Sequence, residues 1–201
     1  PTGEDTFRLG RARGYQIPGM IELVYQKYTG IPGVYVYGNP SIEPTEVVNN
    51  ELSYNRKISE INGDVKLSTF LQQTKDIKSS PSIVDFPAMK FKNVGDSESW
   101  GGELEVKSQI NPEWNVTASY GYQKVDDKLN VNQGAVIQYP VNFEDTTPKS
   151  TIKVNAGWTR DKYEADVAAV WLEKSKMLRA TGNTVLGNPG DYTLRDVPSH
   201  I

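Results

Sequence analysis

The chain contains no cysteine and a single histidine, His200, in 201 residues. The first absence removes disulfides, thiolate metal sites and thiol nucleophiles. The second leaves nothing from which to build an imidazole-based catalytic centre, and His200 reads as a tail residue. An excess of charge of one sign is also missing: 22 Lys and Arg against 25 Asp and Glu give a net charge of −3. That balance does not suit a protein that works by neutralising phosphates, so nucleic acid is not an expected partner. No run of about eighteen apolar residues is present, which excludes a transmembrane helix, and no secretory leader is visible. The chain begins at Pro1-Thr2-Gly3, from which a fragment of a longer protein is expected. Its 37% hydrophobic and 23% charged residues are those of an ordered chain.

What is present is a period of two. In 102–110, Leu104, Val106 and Ile110 share one face, with Ser108 among them, while Glu103, Glu105, Lys107 and Gln109 share the other. The pattern returns at 115–124 (Val116, Ala118, Tyr120, Tyr122), at 152–159 (Ile152, Val154, Ala156, Trp158) and at 163–171 (Tyr163, Ala165, Val167, Ala169, Trp171). It is also found at 64–72 (Val65, Leu67, Thr69, Leu71) and, around Leu52 and Tyr54, at 48–58. Side chains alternate between faces in a strand and recur every 3.6 residues in a helix, so these are strands and no helical stripe competes. The stretch 6–16 is expected to be a strand that alternates poorly, since it carries Arg8, Arg11 and Arg13. A further strand is expected to start near Tyr192. Proline, which cannot donate to a ladder, avoids these segments except at Pro198 in the last of them.

The connections alternate in length. Links near 59–63, 111–114 and 160–162 are short; those near 17–46, 73–99, 126–149 and 174–190 are long and rich in Gly, Pro, Asn, Asp and Ser. The expected fold is therefore all-β: an antiparallel up-and-down meander of seven to eight strands with one plain and one elaborated end. Three features favour a segment of a large transmembrane barrel over a soluble sandwich. Several strands reach the ten or so residues that a tilted crossing needs. Trp100, Trp114, Trp158, Tyr163 and Trp171 sit at strand ends, where interfacial girdles form. The apolar faces use small residues such as Ala118 and Ala165, which need only match lipid and not interlock with a second sheet.

Gly38-Asn39-Pro40-Ser41-Ile42-Glu43-Pro44, followed by Asn50-Glu51-Leu52-Ser53-Tyr54, resembles the barrel signature of TonB-dependent outer-membrane receptors. Here Ile42 replaces the usual leucine, Thr45 the usual glutamate and Asn50 the first tyrosine. Further segments are similar in the same order: the stretch from Gly10 to Pro18, Phe91-Lys92-Asn93-Val94-Gly95 leading to Gly101-Gly102-Glu103-Leu104-Glu105, Trp114 to Tyr122, Thr147-Pro148-Lys149, and Tyr192-Thr193-Leu194-Arg195-Asp196. The resemblance spans nearly the whole chain, 1–201, as the C-terminal part of such a barrel without plug domain, TonB box or closing aromatic strand.

The resemblance implies residence in the outer membrane of a Gram-negative bacterium, in contact with lipid and lipopolysaccharide. It implies active import of a scarce nutrient, a ferric siderophore being the leading candidate, driven by the TonB energy-coupling complex through the missing plug. No bond is made or broken in such transport, so neither a catalytic residue nor a cofactor nor a bound metal is expected. Asp126-Asp127 and Glu144-Asp145 are expected in loops, solvated or holding cations that bridge lipopolysaccharide. For the ligand, the loop tyrosines Tyr25, Tyr28, Tyr35 and Tyr37, with Arg11 and Arg13 nearby, suit an anionic, ring-bearing complex; the plainer reading has the tyrosines packing the loop and the arginines lining the lumen. A passive porin-like or adhesive barrel and a soluble β-sheet binding domain remain the competing classes.

Overall fold

A computed structural model describes residues 4–81, 87–129, 141–180 and 192–201. In chain order it has β1 (Asp5–Gln16), α1 (Met20–Val24), β2 (Gln26–Tyr28), β3 (Tyr35–Tyr37), β4 (Thr45–Ile58), a 3-10 turn (Ser59–Ile61), β5 (Gly63–Lys75), β6 (Lys78–Ser79), β7 (Ala88–Lys90) and β8 (Lys92–Asn93). Then follow β9 (Gly95–Gln109), β10 (Trp114–Leu129), α2 (Phe143–Thr146), β11 (Ser150–Arg160), β12 (Tyr163–Leu172), β13 (Ser175–Ala180) and β14 (Tyr192–Val197). Seven long strands form one sheet in the order β1-β4-β5-β9-β10-β11-β12, each neighbouring pair antiparallel. This is the expected meander. Pro198 falls just after β14, so no described proline lies inside a strand.

The three plain turns follow from local chemistry. Asn62 (φ 46°) and Asp161 (φ 53°) take the left-handed conformation that short polar side chains tolerate best. At the middle turn the Asn111 side-chain oxygen accepts from the backbone N–H of Glu113 and of Trp114, both at 2.9 Å, an Asx turn.

The registers sort every side chain of the wall. One row runs Phe7, Tyr54, Leu67, Leu104, Tyr120, Ile152, Trp171; another runs Val65, Val106, Ala118, Val154, Ala169. Directly paired residues share a face, so the apolar sets of all seven strands merge into one continuous surface. Among the described residues nothing covers it: Leu9 is 85%, Leu52 51% and Val167 69% exposed. Cross-strand aromatic pairs mark its two ends, Trp114 with Trp158 (6.4 Å) beside the plain turns and Trp100 with Tyr122 (5.9 Å) towards the long loops. The opposite face carries Glu51, Lys66, Glu103 and Lys153 and curves around a trough of about 640 Å³. Among the described residues the buried hydrophobics are Val34, Ile42, Val48, Ile77, Met89 and Val94, all in the long loops or at the loop end of β4. The wall therefore has no apolar core of its own. It is inside-out, as a sheet with lipid on one side and water on the other must be.

Candidate functional site

The long loops build a second structure on the elaborated end. Residues 17–44 and 87–94 share a three-stranded sheet in which β2 pairs antiparallel with β3, and β3 pairs parallel with β7 through Tyr35↔Ala88 and Tyr37↔Lys90. Val36 lies opposite Met89, and Met89 is 3% exposed. Alternation then turns Tyr35 and Tyr37 to the other side. There Tyr28, the register partner of Tyr35, completes a row of rings with centroids 5.5 Å (Tyr28 to Tyr35) and 5.8 Å (Tyr35 to Tyr37) apart, within the usual range for tilted aromatic pairs.

The Gly-Asn-Pro segment holds this platform in place. The N–H of Gly38 donates to the carbonyl of Tyr25 and that of Asn39 to the carbonyl of Glu22, both at 2.6 Å. The Asn39 amide donates to the Phe91 carbonyl (3.0 Å), and its oxygen accepts from the Ser41 N–H (3.0 Å). Lys78 of β6, with its side chain 6% exposed, reaches Glu22 of α1 at 3.0 Å. Glu22 also accepts from the Gly19 N–H at 2.7 Å. That backbone hydrogen bond, and then Lys78, hold the Glu22 carboxyl below the usual carboxylate range against an opposing effect of burial. The first two long loops are thereby one unit.

The third and fourth are tied in the same manner. Asp127 accepts from the N–H groups of Phe143 (2.6 Å) and Glu144 (3.0 Å) at the start of α2 and from the Ser97 hydroxyl (2.7 Å). Asp145 pairs with Lys176 of β13 at 2.9 Å and is held low by that partner and by Asn142. Asp126 and Asp127 thus belong to the extended end of β10, not to a loop. Glu144 and Asp145 lie in α2. Among the described residues no cluster of three or more His, Asp or Glu is placed to hold a metal ion.

Of the residues singled out for a ligand, the structure brings Tyr28, Tyr35 and Tyr37 together. Tyr25 stands apart, half-buried after α1, with no ring contact to the others. Arg11 and Arg13 are not beside the tyrosines, and they do not line the trough. They pair with Asn50 and Val48 in the β1–β4 ladder and share the parity of Phe7, Leu9 and Tyr15, which is the apolar outer face. Parity could have shown this in the sequence. The ties made by Lys78, Asp127 and Lys176 could not have been found there, because they join segments far apart in the chain.

The family model described as "TonB dependent receptor-like, beta-barrel" matches residues 1–199. No curated protein matches the sequence. Among solved structures, the FrpB iron transporter from Neisseria meningitidis superposes with a TM-score of 0.68 at 11% identity, over 100% of this chain and 29% of that one. The pyoverdine outer-membrane receptor FpvA of Pseudomonas aeruginosa, solved with pyoverdine, gives 0.65 at 13% identity over 100% and 26%. A double mutant of the ferric enterobactin receptor PfeA from Pseudomonas aeruginosa gives 0.69 at 18% over 99% and 30%. At such identities the likeness is one of fold. The chain spans less than a third of the length of each of these structures.

Proposed function

Because the chain belongs to the TonB-dependent receptor-like β-barrel family, we propose that it is part of the wall of a receptor that imports a ferric siderophore across the outer membrane of a Gram-negative bacterium. The observation that carries this reading is the tyrosine platform on the long-loop end of an inside-out wall. Long loops face the cell exterior in such barrels, so Tyr28, Tyr35 and Tyr37 meet what arrives from outside. Three rings in a row offer flat, rigid, amphipathic surface at low conformational cost, with hydroxyls to donate and accept hydrogen bonds. That chemistry suits an aromatic or carbonyl-rich iron chelate. The polar trough face, with carboxylates and lysines interspersed, suits the hydrated interior in which a plug of the same receptor would sit, and through that plug the TonB complex would supply the work of transport. The family and its solved members are transport receptors, and chemistry on the ligand has no part in the reading.

The test is ligand binding by the full-length receptor with Tyr35→Ala and with Tyr37→Ala, using ferric enterobactin and ferric pyoverdine as probes. A ring that contacts the chelate should cost about ten-fold in affinity or more when removed. Wild-type affinity for a bound probe in both variants would overturn the assignment of the platform. Binding of neither probe by the wild type would overturn the siderophore reading for those two classes.

A further inference from the structure

Among the described residues, three strands of the wall carry an outward aromatic ring at each end: Phe7 and Tyr15 on β1, Trp114 and Tyr122 on β10, Tyr163 and Trp171 on β12. The spacing is eight residues in each case, so the rings mark the two headgroup levels of one apolar band. The residue midway between them is Ala118 on β10 and Val167 on β12, but Arg11 on β1. The neighbouring strands agree. Val154, the partner of Ala118, lies four residues from Trp158 of β11, whereas Asn50, the partner of Arg11, lies four residues from Tyr54 of β4. The centre of the band is thus apolar from β10 to β12 and polar on β1 and β4.

Neither Arg11 nor Asn50 makes a side-chain hydrogen bond or ion pair among the described residues. The rest of their register row is Leu71, Trp100 and Lys124, which adds a cation and no anion. The outward carboxylates are all engaged elsewhere. Glu46, level with Tyr15, holds Arg13 at 2.7 Å and has Lys75 opposite it. Glu98 and Asp126 share the row of Arg13, three and four strands from β1; Gln73 donates to the first at 3.0 Å and Lys124 pairs with the second at 2.7 Å. Asp5, beyond Phe7, accepts from the Tyr54 hydroxyl at 2.7 Å. Glu51 faces the trough.

A guanidinium at the midplane of a barrel wall is costly when its neighbour is lipid. About 13 Å of strand separates Arg11 from either ring, so extension of its stem towards the headgroups relieves only part of that cost. Acyl chains offer no acceptor at this depth. A protein surface does: a carboxylate fits the guanidinium fork, and any polar group answers the Asn50 amide. A second copy docked through the same face cannot supply the carboxylate, because the described wall has none between its rings. We propose that the β1–β4 face is a docking surface within the membrane for a different membrane-spanning protein, whose apolar surface presents a carboxylate to Arg11 and a hydrogen-bonding group to Asn50. Leu9 and Leu52, directly paired beside them, supply the apolar rim.

Two measurements on the full-length receptor test this. In the first, the receptor alone in phosphatidylcholine vesicles is unfolded in denaturant. Without its partner Arg11 faces lipid, so Arg11→Leu should stabilise the wall and lower the unfolding equilibrium constant about thirty-fold. Asn50→Leu should act in the same direction by less, and keeps the test decisive if Arg11→Leu does not assemble. Destabilisation by these changes overturns the proposal, since the counter-charge then belongs to the receptor itself, on the strand beside β1. Unchanged stability overturns it by showing that the guanidinium is not in hydrocarbon. In the second, a photo-reactive residue replaces Leu9 in the receptor's own outer membrane, with Val167 replaced as the control. The Leu9 probe should cross-link to a polypeptide other than the receptor, the Val167 probe should not, and the adduct should fall about ten-fold in Arg11→Leu, the loss expected for one charge-assisted contact. Adducts with lipid alone, an adduct of two receptor copies, or an adduct indifferent to Arg11→Leu each overturn the proposal. Val106→Arg, measured with and without lipid, tests separately that the wall lies in a bilayer, and siderophore binding enters neither measurement.

Discussion

Gly38 lies so close to the end of α1 that its N–H donates to the Tyr25 carbonyl at 2.6 Å and a Cβ added to it would meet the backbone of Leu23, Val24 and Tyr25 at 2.6 Å. The obstructing atoms are main chain and cannot swing aside. Gly38→Ala should therefore push α1 off the Gly-Asn-Pro segment, at a cost of about 1–3 kcal/mol, the usual range for overpacking. The effect should be local: amide hydrogen exchange should quicken at Tyr25, Gly38 and Asn39 while the seven-stranded wall keeps its protection. Unchanged exchange at Gly38 and Asn39 would show that the loop end has slack not apparent in the fold.

Acid should loosen the same end of the molecule. Glu22 and Asp145 are both held below the ordinary carboxylate range, the first mainly by the Gly19 N–H and the second mainly by Lys176. A carboxyl whose folded pKa is depressed contributes stability that is fully present above its unfolded value, about 4 for these groups, and lost as pH falls through the folded value. The ties between the first and second loops and between the third and fourth should thus hold at neutral pH and weaken below about pH 4, each as its own carboxylate is protonated. Limited proteolysis of the full-length receptor across that range would detect this as cleavage in 17–44 and 141–149 ahead of the wall. In Glu22→Gln the first loop should be susceptible already at neutral pH, and susceptibility there should no longer depend on pH.

Much of the wall was legible because lipid imposes the simplest pattern available to a strand. Ile152, Val154, Ala156 and Trp158 needed only to be apolar and alternate, so β11 could be read almost to its ends. β9 was expected to begin at 102 but begins at Gly95. Its first five residues pair with Val125 to Leu129, on the loop side of the Trp100–Tyr122 pair, where no apolar signal is required. β1 alternates poorly because two of its three arginines, Arg11 and Arg13, occupy outward positions without disturbing the ladder. The loop elements were not legible. α1 has five residues, too few for a helical period, and the platform depends on Tyr35 finding Ala88, a pairing no local pattern encodes. Of the candidate ligand residues, sequence could group Tyr35 and Tyr37, two apart on one strand. It could not separate Tyr25 from them, since that depends on where α1 ends.

The sharpest check on the two faces is a pair of arginine substitutions on neighbouring strands. Val106 of β9 lies between Val65 and Ala118 on the outer face, near the middle of the apolar band. Thr117 of β10 lies between Lys107 and Asn155 on the trough face. Val106→Arg places a guanidinium in hydrocarbon and should cost about 2–4 kcal/mol of stability in a bilayer. Thr117→Arg projects the same group into water beside an existing lysine and should cost well under half of that, from like-charge repulsion alone. Unfolding of the full-length receptor from lipid vesicles in denaturant would measure both. Equal costs would mean that the two faces are not solvated differently, and the membrane assignment of this wall would fail. A soluble sheet would lose stability at Val106 through core disruption, to the same extent whether lipid is present or not, and the measurement repeated without lipid separates that case.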